Sequence, residues 1–183
     1  MPPPAQPQKK SGGVVALVVV ISLCVVSVPC VGVLSAIAIP AFIGYLTNAK
    51  TSEARANLVS MVHGAEAYYA TESFGQGGVA NTNCAVGDGR TTNVPGPAKT
   101  ALGPLGEPFD SIGFALADPV YYQYEIVGVG GCGHTEGEPL YSFRAYGDLD
   151  GDGTTSLYEI SVAAGPDGTL TRSPAIYTEN ELE

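Results

Sequence analysis

Charge is what this sequence has least of. Asp, Glu, Lys and Arg make up 14% of its 183 residues, against roughly 25% in an average soluble protein. Basic residues are the scarcer kind, with 8 Lys and Arg facing 18 Asp and Glu. A chain of formal charge −10 is poorly suited to neutralise a phosphate backbone, which argues against nucleic acid as a partner. Histidine occurs only at His63 and His134. A G-x-S-x-G nucleophile motif is missing, and the glycine clusters at Gly75–Gly78 and Gly128–Gly133 open no helical pattern that would make a phosphate cradle. These absences predict a protein that is not an enzyme.

Charge is also missing locally. Ser11–Ala49, 39 residues, contains no Asp, Glu, Lys, Arg or His. A secretory signal peptide has an apolar stretch of about 7–15 residues, less than half of this run. The length predicts a retained signal-anchor helix, with Lys9 and Lys10 on the cytoplasmic side. As a helix the run would extend about 58 Å, whereas the hydrocarbon core of a bilayer is about 30 Å thick. Pro29, Gly32 and Pro40 punctuate it and predict a break or kink. Ahead of it, Pro2, Pro3, Pro4 and Pro7 predict an extended, disordered tail.

Beyond the apolar run the chain is polar and acidic. Of the basic residues only six lie beyond Thr47, together with all 18 acids. The helical pattern nevertheless continues: Ala54, Leu58, Met61, Val62, Ala65 and Tyr69 recur at spacings of three and four and predict one apolar face. The expected organisation is a disordered cytoplasmic tail at 1–13, the membrane-embedded half of a long helix at 14–46, and an extracytoplasmic domain at 47–183. The helix is expected to run from about Val14 to Glu72.

The segment Ala36-Ile37-Ala38-Ile39-Pro40-Ala41-Phe42 and its continuation to Leu58 resemble the N-terminal helix of the type IV pilin and pseudopilin family. The resemblance implies a helix that packs in a filament core, with an antiparallel sheet laid over its polar half. It also implies residence in a bacterial inner membrane with the N-terminus in the cytoplasm, and assembly with like subunits into a pilus or a type II secretion pseudopilus. The chain departs from the family pattern at two places. Aligned through Pro40, the family's glutamate position falls near Leu23 and its glycine position near Val18. Neither peptidase processing nor a glutamate-set subunit register is therefore carried over.

Ser73–Pro119 reads as a long irregular connection. Val120–Val129, Leu140–Asp148 and Ser156–Ala163 alternate and are rich in Tyr, Val and Ile. A fourth short strand is expected around Thr169–Arg172, after the turn Gly165–Gly168. One helix and then a meander is an α+β layout. The tyrosines of these strands are expected as half-buried strand residues. Cys24 and Cys30 fall in the apolar run and are expected to be free thiols. Cys84 and Cys132 fall in the exported part, where a disulfide is expected; in the chain-entropy model, closing that loop contributes about 4 kcal/mol. A zinc site on Cys132 and His134 would lack further ligands.

The sharpest chemical pattern is Asp148-Leu-Asp150-Gly-Asp152-Gly153-Thr154-Thr-Ser156-Leu-Tyr-Glu159, which fits D-x-D-x-D-G-x₅-E. Oxygen donors at alternate positions can wrap a hard cation such as Ca²⁺. Asp148, Asp150 and Asp152 would give carboxylates, Thr154 its carbonyl, Ser156 a bridging water and Glu159 both oxygens. The sequence thus supports two functional expectations. One is a pilin-like structural subunit that contacts the membrane and its own kind. The other is a non-polymerising, membrane-anchored calcium-binding module.

Overall fold

The computed structural model describes residues 12–71, 73–74, 80–81 and 83–183. The disordered tail expected at 1–13 lies almost wholly outside them, as do the side chains of Cys24 and Cys30. One helix, α1, runs from Gly12 to Ala70 and continues through both Pro29 and Pro40 instead of ending at either. It stops where Thr71 closes the last turn. The Thr71 N–H donates to the Tyr68 carbonyl at 3.1 Å and its hydroxyl donates to Ala67 O at 2.8 Å.

The chain divides into two units, Met1–Tyr45 and Leu46–Glu183. The described part of the first is helix alone. Its described side chains are mostly apolar and exposed: Val15, Leu23, Leu34, Ile37 and Phe42 each leave more than half of their surface uncovered.

The second unit is the α+β fold expected from sequence. The strands are β1 (Ser73–Phe74), β2 (Ala80–Asn81), β3 (Cys84–Ala85), β4 (Gly89–Arg90), β5 (Gln123–Gly128), β6 (Gly131–Cys132), β7 (Pro139–Gly147), β8 (Ser156–Ala164), β9 (Leu170–Arg172) and β10 (Tyr177–Glu179). An antiparallel sheet has the order β10-β8-β7-β5-β4, with β9 also paired to β8. Alternation sends Tyr124 and Ile126 of β5, Phe143 and Ala145 of β7, and Tyr158, Ile160 and Val162 of β8 to one buried face.

That face packs with the helix in a single core. All six residues of the expected helical face, Ala54, Leu58, Met61, Val62, Ala65 and Tyr69, are buried to 2% exposure or less. Burying each large side chain contributes roughly 1.5–3 kcal/mol. Contact is closest at Gly64, where an added Cβ would lie 2.0 Å from the Ile112 carbonyl oxygen. Asn57 donates from Nδ2 to the Tyr124 hydroxyl at 2.6 Å, which fixes the helix in register on β5.

The connection before β5 is irregular, as expected, yet it supplies core residues that periodicity did not indicate. Phe109, Ile112 and Phe114 are buried in it. Its polar side chains also finish the edge of the sheet. The Thr91 hydroxyl accepts the Tyr124 N–H and donates to Asn93 Oδ1, while Asn93 Nδ2 donates to the Tyr122 carbonyl. Cys84 and Cys132 face each other across the β3–β6 pair and are joined by a disulfide. The same loop is tied to the helix end. His134 stacks on Tyr69 at 6.5 Å between ring centroids, and its Nδ1 lies 3.0 Å from Glu138 Oε1.

Candidate metal loop and its neighbouring charge ladder

β7 and β8 pair from Gly147↔Ser156 inward, so the connection between them presents Asp148 to Thr155 at one end of the sheet. The loop is folded by its own acids. Asp148 accepts the Gly151 N–H on Oδ1 at 2.8 Å and the Gly153 N–H on Oδ2 at 3.2 Å. Asp150 Oδ1 accepts the Asp152 N–H at 3.1 Å, and Asp152 Oδ1 accepts the Thr154 N–H at 2.6 Å. The Thr154 N–H holds the Asp152 carboxyl below its usual range. Gly153 sits at φ +90°, a left-handed conformation that the sharp turn requires and that a side chain would strain. These bonds gather Asp148, Asp150 and Asp152 so that one carboxylate oxygen from each lies within 4.8 Å of the others.

The remaining expected ligands have other engagements. Ser156 is fully buried, and its hydroxyl bonds to the carbonyls of Gly147 and Glu183. Glu159 does not join the aspartate cluster. It lies inside β8, where the pleat turns it to the sheet's outer face, and its carboxylate takes a short hydrogen bond from the Ser142 hydroxyl and one from Arg144 Nε at 3.2 Å. The twelve-residue pattern assumes a chain that curls back after its ninth position. Here β8 begins at Ser156, and an extended strand carries Glu159 away. The three aspartates suit a hard cation by donor chemistry; Glu159 as a bidentate ligand is the part of the expected set that the fold does not provide.

Glu159 belongs instead to a row of alternating charge across four strands. Arg90 of β4 faces Glu125 of β5, Glu125 faces Arg144 of β7, and Arg144 faces Glu159 of β8. The N···O separations are 3.8 Å for Arg90–Glu125, 3.6 Å for Arg144–Glu125 and 3.2 Å for Arg144–Glu159. Tyr146 donates its hydroxyl to Glu125 at 2.9 Å, and the Arg90 guanidinium lies 4.9 Å from the Tyr146 ring centre. Burial and the Glu125 bond raise the Tyr146 phenol above its usual range. Sequence reasoning missed this row because cross-strand partners depend on register. It also missed Glu183, whose carboxyl is pushed above its usual range chiefly by Asp150, then by burial, Asp152 and Asp148. The Ser156 hydroxyl donates to the Glu183 main-chain oxygen at 2.8 Å, which brings this residue to the loop's end of the sheet.

The helix carries the other candidate surface. It contains a segment long and apolar enough to cross a membrane. With the Cys84–Cys132 disulfide, this fits a membrane-anchored protein whose polar part meets oxidising conditions. Against protein-family models, curated proteins and solved structures the chain gives no match.

Proposed function

We propose that this protein is a pilin-like structural subunit, anchored by one pass of its N-terminal helix and assembled with like subunits through the apolar part of that helix. One observation carries the reading. A single helix carries exposed apolar side chains along its first half, then forms the core helix of an acidic α+β domain. The uncharged run is about 58 Å long as a helix, which exceeds the hydrocarbon core by roughly a factor of two. Exposing the excess to water costs about 25 cal/mol per Å². Neighbouring helices relieve that cost, and Gly32, Ser35, Ala36, Ala38 and Ala41 permit close approach.

Single cysteines at Ala36 and Ala41, in a chain with Cys24 and Cys30 replaced, test this in native membranes. Oxidative crosslinking into dimers and higher ladders is expected. A clean monomer at native expression refutes assembly. It would favour the non-polymerising calcium-binding module, a reading supported by Leu23 standing where the resembling family has glutamate.

In either role Asp148, Asp150 and Asp152 would hold Ca²⁺ in the loop joining β7 and β8. The cation would offset the mutual repulsion of three carboxylates and fix one end of the sheet. In this reading, polar Ser142 and basic Arg144 keep Glu159 within the sheet and out of the coordination sphere.

A further inference from the structure

Lysine is used at only four positions, Lys9, Lys10, Lys50 and Lys99. The first two precede the uncharged run, and Lys50 is the first charge after it. Lys99 is distant in sequence, yet the fold brings it to Lys50. Their ammonium groups lie 4.8 Å and 4.9 Å from the centre of the same ring, Tyr121. All the lysine of the outer domain is thus gathered at one place.

The place is built, not incidental. Glu53, only 15% exposed, holds Lys99 Nζ at 2.9 Å with one carboxylate oxygen and accepts the Tyr121 N–H at 2.7 Å with the other. The hydrogen bond to Glu53 raises the Lys99 ammonium above its usual pKa. Around these groups is a cleft of about 530 Å³, bounded by Leu46, Ala49 and Ser52. No ion pair engages Lys50 among the described residues, whereas Arg55, Arg90 and Arg144 are each paired to a glutamate. Lys99 is paired to Glu53 and also feels Asp118, so Lys50 is the ammonium that no carboxylate pairs among the described residues, in a domain that is otherwise strongly acidic. An ammonium without a carboxylate partner, beside an aromatic ring and an apolar wall, matches one phosphodiester with acyl chains attached.

The position along the chain agrees. Lys50 is the first charged residue after the uncharged run, and Leu46 and Ala49 close that run, so the cleft falls where an anchored helix leaves the hydrocarbon, a level at which Lys and Tyr are favoured.

We propose that Lys50, Lys99 and Tyr121 bind the phosphodiester of an anionic membrane phospholipid, with its acyl chains on the Leu46–Ala49 side of the cleft. This rests on the membrane anchorage proposed above and not on self-association.

The test uses the full chain in mild detergent, titrated with phosphatidylglycerol and followed by native mass spectrometry. Lys50→Gln and Lys99→Gln are each expected to weaken lipid retention about fivefold. Arg172→Gln, the same charge change on β9, is expected to leave it unaltered, and excess inorganic phosphate is expected not to displace the lipid. Because Lys99 is bonded to Glu53, unchanged thermal unfolding is required of each variant. Lys50→Gln, which breaks no ion pair, decides the matter alone if Lys99→Gln misfolds. Equal retention by Lys50→Gln and Arg172→Gln overturns the proposal, as does full displacement by inorganic phosphate. Failure of the unmutated chain to insert into phosphatidylglycerol nanodiscs would refute the anchorage; insertion with lysine-independent retention refutes this site alone.

Discussion

Replacing Gly64 with alanine should destabilise the domain, against the ordinary rule for helices. In an open helix interior, Gly→Ala is worth about 1 kcal/mol in favour of the helix. At Gly64 the new Cβ would stand 2.0 Å from the Ile112 carbonyl oxygen and 3.1 Å from its carbonyl carbon. A carbon–oxygen contact settles near 3.3 Å, so the helix and the Ile112 backbone must part by about 1.3 Å. That backbone is not free to yield. Phe109, Ile112 and Phe114 are buried at 1–4% exposure, and the Phe114 N–H is bonded to Phe109 O at 2.9 Å. Overpacking a close-packed core costs typically about 1–3 kcal/mol and occasionally more, and loosening three apolar anchors brings this site to the upper end. After the helical gain, we expect a net loss of about 2 kcal/mol. For a chain of this size that lowers Tm by roughly 4–8 °C. Thermal unfolding by circular dichroism of the full chain in detergent measures it, with Ser60→Ala, an exposed position one turn earlier, as the control for propensity. A Gly64→Ala protein melting at or above the unmutated one refutes the close contact.

The loops give two further expected outcomes. Calcium at about 10 mM, for a dissociation constant near 1 mM as in extracellular modules, should stabilise the folded chain by about 1.4 kcal/mol. Differential scanning calorimetry should show a rise in Tm that Asp150→Ala removes and Glu159→Gln retains, since Glu159 is held by Ser142 and Arg144; loss of the rise in Glu159→Gln would place that residue in the coordination sphere after all. The hydrogen bond from His134 lowers the Glu138 carboxyl below its ordinary value of 4.5. A lowered folded-state pKa means stability that is complete above about 4.5 and lost as pH falls through the lowered value. The Tm difference between the unmutated chain and Glu138→Gln should therefore shrink as the pH falls below about 4.5, and a difference that grows there would reverse the assignment.

Sequence made legible whatever depends on local period. The six-residue helical face, the three long strands and the Cys84–Cys132 pair all appear where expected, because alternation and 3.6-residue spacing are properties of short segments. The aspartates were legible for the same reason, being neighbours in the chain. What periodicity could not supply were relations across the sheet. Arg90, Glu125, Arg144 and Glu159 are separated by 35, 19 and 15 positions, and only strand register aligns them. Phe109, Ile112 and Phe114 were hidden in a segment without periodicity, where burial is decided by how the chain is draped. The short strand β10 was missed because three residues offer too little alternation to recognise. Glu159 shows the conflict most clearly: its place in a linear pattern pointed to a metal, and its place in a strand gave it to an arginine.

The edge of β5 has a consequence for crowding. An open strand edge is a template on which another chain can add itself, and packing many copies side by side multiplies the chances. Here β4 covers only Ile126 and Glu125. Beyond it the exposed amides and carbonyls are taken in turn by Asp88, which accepts the Gly128 N–H, by Thr91, which bonds both ways with Tyr124, and by Asn93, which donates to Tyr122 O. Side chains with irregular spacing satisfy those groups without offering a new edge of their own. An edge closed in this manner gives a neighbouring strand little backbone to pair with on that side of the sheet.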